Sequence, residues 1–131
     1  MRYVTLAGRV AYSLIFLLAP FAHFRPGTVA YAAQAGVPMP GLLVPLSGVL
    51  ALAGGLSVAL GYQARVGAWL LVVFLVPVTF TMHAFWNVHD PMMHQFQQAM
   101  FVKNIALLGA ALIITQVGAG PMSLDARRSG A

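Results

Sequence analysis

The residues best able to do chemistry sit in two short stretches. All four histidines, His23, His83, His89 and His94, lie there, beside Arg25, Trp86, Asn87, Asp90, Gln95, Gln97, Gln98, Lys103 and Asn104. Imidazole exchanges a proton near neutral pH, a lysine ammonium holds an anionic or carbonyl oxygen, and indole stacks on a ring. Lys103 is the sharpest case. It lies about five residues inside the apolar run Gln98–Val117, roughly 7 Å of helical rise from its start. A charge at that depth is unfavourable by up to about 3 kcal/mol unless it is relieved. It can snorkel to headgroups, pair with Asp90, the one acid outside the C-terminal tail, or line a cavity beside Asn104 and His83. His83 follows Thr79 by four residues and precedes Trp86 by three and Asp90 by seven, which a continuous helix would put on one face. The candidate pocket is therefore His23, Arg25, His83, Trp86, Asp90, Lys103 and Asn104. In it Lys103 would hold an oxygen, His83 would exchange a proton and Trp86 would stack on a ring such as that of a quinone.

Other chemistries fit less well. His89, Asp90 and His94 are close in sequence, but histidines five apart do not share a helix face and Pro91 interrupts them, so a metal site would need a loop and a third ligand such as His23. Only His23 and His83 are placed to serve as paired haem ligands. Haem and metal are both disfavoured. No phosphate-binding glycine loop, nucleophile elbow or pair of catalytic carboxylates is present. With no cysteine, the chain forms no disulfide and carries no thiolate nucleophile.

The elements that must position these residues follow from composition. Of 131 residues, 60% are hydrophobic and 7% charged, against about 25% charged in a soluble domain. A chain of one-domain length cannot bury that apolar excess, so it must face lipid. Continuous apolar runs at about 4–24, 42–61, 66–86 and 98–117 each match the roughly 20 residues a helix needs to cross a bilayer. Alternating barrel strands are absent from the pattern. The expectation is an all-α integral membrane four-helix bundle in a single domain over 1–131, with a polar C-terminal tail from 118. Pro26-Gly27 and Pro38-Met39-Pro40-Gly41 bracket a short interfacial helix between the first two spans, with Thr28 as its N-cap. Arg2 and Arg9 ahead of an apolar stretch, with Ala30-Tyr31-Ala32 after it, also fit a cleaved signal peptide, but a retained first span is preferred.

The net charge of +5 is scattered, with Arg127-Arg128 the one adjacent pair, which is no footprint for nucleic acid. It reads as a topology signal. Four spans place Arg2, Arg9, Arg65, Arg127 and Arg128 on one side and Arg25 and Lys103 on the other, so the positive-inside rule puts both termini in the cytoplasm. A polar pocket would then open outward. Ser47, Ala51 and Gly55, Ser57 and Gly61, and Ala106 and Ala110 recur at four-residue spacing, suited to close packing within the bundle or against a second copy of the chain. Pro77 should kink the third span.

Several stretches together resemble the DoxX family of small bacterial membrane proteins across all four spans. They are Gly8-Arg9, Gly36-Val37-Pro38, Val44 to Leu50, Gly54-Gly55-Leu56, Gly61-Tyr62, Phe74-Leu75-Val76-Pro77, His83-Ala84-Phe85-Trp86, Asp90-Pro91 and Phe101-Val102-Lys103-Asn104. The resemblance implies a multi-pass inner-membrane bundle associated with respiratory redox systems; the related DoxD group is linked to thiosulfate:quinone oxidoreductase. Many members carry an acid ahead of the paired glycines of the second span, where this chain has Ala51. That departure removes a mid-membrane proton partner. The leading expectation is an accessory or quinone-associated subunit with a redox partner subunit. The alternatives are a non-catalytic binder or transporter of a small amphipathic molecule, and an assembly partner of other membrane proteins.

Overall fold

The computed structural model describes residues 1–130. Among them every regular element is helical. The order is α1 (Arg2–Leu18), a 3-10 continuation (Ala19–Phe24), α2 (Pro26–Gln34), α3 (Pro40–Leu60), α4 (Ala64–Met82), a 3-10 turn (Phe85–Asn87), α5 (Pro91–Val117) and α6 (Leu124–Arg128). Four stretches, Arg2–Phe24, Pro40–Leu60, Ala64–Asn87 and Pro91–Val117, are long and apolar enough to span a membrane. Within them no more than 33% of the most apolar window is buried. Leu18, Phe21, Leu42, Val73, Phe80 and Ile113 thus lie on the outside, where only lipid makes them favourable.

α1 packs on α3, α3 on α4 and α4 on α5. Glycines set the close approaches. A Cβ on Gly55 would lie 2.7 Å from Phe16 Cβ on α1, and one on Gly54 would lie 2.8 Å from the Gly67 carbonyl on α4. On α3, Gly55 of the small-residue series therefore serves a contact inside the bundle, whereas Ala106 on α5 is exposed. The core they enclose is Phe16, Ala51, Val58, Ala68, Leu71, Leu75 and Ala111. The ring closes between α1 and α5 through the Tyr12 hydroxyl, which donates to the Leu107 carbonyl at 2.8 Å.

Element ends differ from the sequence expectation in four informative places. Pro20 is fully buried and lacks the N–H that would continue α1, so the chain tightens into 3-10 geometry before Phe24. Pro26 occupies the first turn of α2, which starts two residues before Thr28 because proline's fixed φ suits that position. α5 starts at Pro91, not near Gln98. The Asp90 carboxylate accepts the Met93 N–H at 2.9 Å and Pro91 fills the first helical position, so this proline opens a helix instead of breaking one. Finally, the segment after Val117 is no free tail. Ala119 and Ser123 are buried, and α6 lies against the turn joining α3 to α4, with the Asp125 N–H donating to the Gly61 carbonyl at 2.8 Å.

Candidate functional site

A cavity of about 140 Å³ lies between α1 and its 3-10 continuation, α3, α4 and α5. Its polar lining is His23, His83, Lys103 and Asn104, and Phe16, Phe74 and Leu107 are among its apolar walls. Each polar residue arrives from a different local cause. His23 sits on the 3-10 segment that Pro20 forces, packed so near α3 that a Cβ on Gly48 would come within 2.9 Å of the His23 Cβ. His83 is the residue that ends α4, with φ −120° and ψ 38°. Lys103 and Asn104 occupy the middle of the 27-residue α5.

The hydrogen bonds assign the histidine protons. The Ser47 hydroxyl donates to the Val44 carbonyl at 2.6 Å, so its oxygen accepts from His23 Nδ1–H at 2.9 Å. The Gln97 Nε2 donates to the Tyr31 hydroxyl at 3.0 Å, leaving Gln97 Oε1 to accept from His83 Nδ1–H at 2.7 Å. In both neutral rings Nε2 is then the basic atom. Lys103 has a poor partner: its ammonium reaches the Met100 sulfur at 3.7 Å, a weak acceptor. Asn104 is buried beside it. The cavity thus combines two proton-accepting nitrogens with an ammonium and a carboxamide, against aromatic walls.

α5 starts at Pro91, seven residues before the apolar run at Gln98, so Lys103 lies twelve residues into the helix, about 18 Å of rise from its first residue. Pairing with Asp90 is geometrically closed, since thirteen residues along one helix separate them by roughly 20 Å.

The structure brings together His23, His83, Lys103 and Asn104 but leaves three candidates elsewhere. Arg25 is exposed at the start of α2. Trp86 is half-exposed in the 3-10 turn, packed edge-on against Phe85 and Phe101. Asp90 caps α5. The cause is the end of α4 at Met82: the backbone leaves helical geometry at His83 and Ala84, so Trp86 and Asp90 do not continue its face. Thr79 does not reach His83 either, and its buried Oγ1 has no partner. His94 Nδ1 bonds the Val88 carbonyl at 3.2 Å in the first turn of α5, and His89 stays in the preceding loop. Among the described residues no group of three ligands is arranged for a metal.

Sequence reasoning overlooked Phe74, whose ring centroid is 5.7 Å from that of His23, and the partners Ser47 and Gln97. Gln97 stood out only as one of several outer polar residues; its pairing with His83 crosses two helices. A second cavity of about 260 Å³, lined by Tyr31, Asn87 and Gln97 among others, lies just beyond that pair.

The DoxX family profile matches residues 4–84, a segment that carries His23 and His83 but stops before Lys103 and Asn104. The chain is 30% identical to the inner membrane protein YphA of Escherichia coli over 124 residues, 93% of this chain and 88% of YphA. It is 28% identical to the inner membrane protein YqjF of the same organism over 122 residues, 92% of this chain and 88% of YqjF. A shorter likeness, 26% identity across 61% of this chain and 26% of the relative, is to the ER-derived vesicles protein ERV29 of Saccharomyces cerevisiae. No solved structure matches. By profile match, by near full-length similarity to these two bacterial proteins and by its four spanning helices, the chain belongs to the DoxX family and is a multi-pass inner-membrane protein.

Proposed function

We propose that the chain is a quinone-associated accessory subunit of a membrane redox system, holding the quinone ring in the cavity between α1, α3, α4 and α5. One observation carries the reading: a lysine ammonium with no oxygen partner lies deep in a spanning helix and lines a cavity with two histidines. A half-buried charge within a spanning helix is costly unless a ligand or water satisfies it. Lys103 and the Asn104 amide are suited to donate to a carbonyl oxygen, and the Nε2 atoms of His23 and His83 to accept the proton of a reduced hydroxyl. Phe74 and Phe16 offer ring faces and edges. A bound quinone would supply two-electron, two-proton chemistry, with its electrons exchanged with a redox partner subunit. The outer cavity at Tyr31 and Gln97 supports an approach from the outward side.

The test is quinone content and response. Protein purified in mild detergent should yield quinone in its lipid extract, and a short-chain quinone should raise its melting temperature. Lys103→Met should cut the bound quinone about tenfold or more, the loss of one charge-assisted hydrogen bond, and His83→Ala about fivefold, the loss of a neutral one. No quinone in the extract together with no thermal shift would sink the proposal.

A further inference from the structure

An open groove of about 840 Å³ lies at the opposite end of the bundle, bounded by Arg2, the start of α4 with Arg65, and the loop from Gly118 to Ser123. Its chemistry follows from how Arg9 holds that loop. The buried guanidinium draws the carbonyls of Ala119, Pro121 and Met122 toward itself, at 2.7, 3.4 and 2.8 Å. Every peptide here is trans, and in a trans peptide the next residue's N–H points away from the carbonyl. The N–H groups of Gly120, Met122 and Ser123 therefore turn away from Arg9, and none of them donates to another backbone carbonyl. The cavity is lined by this loop and not by Arg9, so it lies on the side these donors face.

Positive φ at Gly118, Gly120 and Met122 (78°, 71° and 55°) curls the segment; Pro121 contributes no N–H, which leaves the adjacent Met122 and Ser123 donors and the Gly120 donor, and successive N–H groups in such turns hold anions. Arg2 and Arg65 are exposed on the rim. Arg65 runs across Gly118, where a Cβ would sit 3.3 Å from its Nε. The one acid on the wall, Asp125, already accepts the N–H groups of Gln63 and Ala64 at 2.7 and 2.9 Å. Two arginines against one committed carboxylate leave the wall positive.

We infer that this groove binds a phosphate group at the cytoplasmic membrane surface, carried by an anionic lipid headgroup or by a free phosphate. The site is independent of the outer cavity. Basic pockets between helices on the cytoplasmic side are suited to such headgroups, and the loop adds directional donors to the charge.

Native mass spectrometry of the full chain in mild detergent, with phosphatidylglycerol or phosphatidylcholine added, reads the lipid arm. Melting temperature with and without inorganic phosphate reads the solute arm. Wild type should retain phosphatidylglycerol in preference to phosphatidylcholine, and Arg2→Gln and Arg65→Gln should each weaken that retention about fivefold. Both side chains are exposed, so melting temperature without ligand should stay near that of wild type. A phosphate-dependent thermal shift that either substitution abolishes, without lipid preference, assigns a free phosphate as the source. Equal retention of the two lipids with no phosphate shift overturns the inference, and this comparison needs no variant.

Discussion

Each end of the bundle holds a basic side chain within a spanning helix, Arg9 buried and Lys103 half-buried, and the two are treated in opposite ways. At the inner end Arg9 is 7% exposed and donates to four carbonyls, those of Ala59, Ala119, Pro121 and Met122, from α3 and the C-terminal segment. Nearby, Asp125 closes the first turn of α4. At the outer end Lys103 lines a cavity with a methionine sulfur as its one hydrogen-bond partner. A charge saturated by fixed acceptors holds a structure together; a charge left with a weak acceptor beside open space is available to something that enters. The difference separates a cation that holds two segments together from one left open to a ligand, although both look alike as single basic residues in apolar runs.

The largest expected effect tests the inner end. Arg9→Ala would leave several inward carbonyls without donors and should destabilise the protein by about 3 kcal/mol or more. In detergent this reads as a lower melting temperature and new protease cleavage between Gly118 and Met122. Lys103→Met tests the other end and should act with the opposite sign: ligand-free protein should be unchanged or more stable by up to about 2 kcal/mol, because an under-partnered charge is removed from a spanning helix. A loss comparable to that of Arg9→Ala would break the comparison. Asp125→Ala should cost about 1 kcal/mol by uncapping α4, seen as faster hydrogen exchange at Gln63 and Ala64 with bound quinone unchanged. Smallest is Tyr12→Phe. It removes the hydroxyl that ties α1 to the Leu107 carbonyl below the outer cavity and should cost about 0.5–1 kcal/mol in a thermal melt.

Family membership sharpens the same contrast. The profile match ends at Ala84, whereas Lys103 and Asn104 lie on α5 beyond it, although within the stretch over which the chain is similar to YphA. The proposed cavity is assembled across that boundary.

Much of the architecture was legible in the residues alone. Four apolar runs of bilayer length have one stable outcome, because a backbone in hydrocarbon must satisfy its own hydrogen bonds within each helix. Small residues at four-residue spacing announced close packing, and Gly55 of that series duly lies against α1, while Gly54, outside it, lies against α4. Local signals at Asp90-Pro91 and Pro26 were present too, as helix starts instead of breaks. What the tertiary structure alone decided is which polar groups meet. Arg9 finds the carbonyls of a segment more than a hundred residues away, Gln97 reaches His83 across two helices, and a turn at His83 carries Trp86 away from the cavity. Such pairings depend on helix rotation and on where each helix ends, and a period of 3.6 residues constrains neither between separate helices. Composition determined that the chain enters the membrane; packing determined that Arg9 is closed in by carbonyls while Lys103 is left with open space beside it.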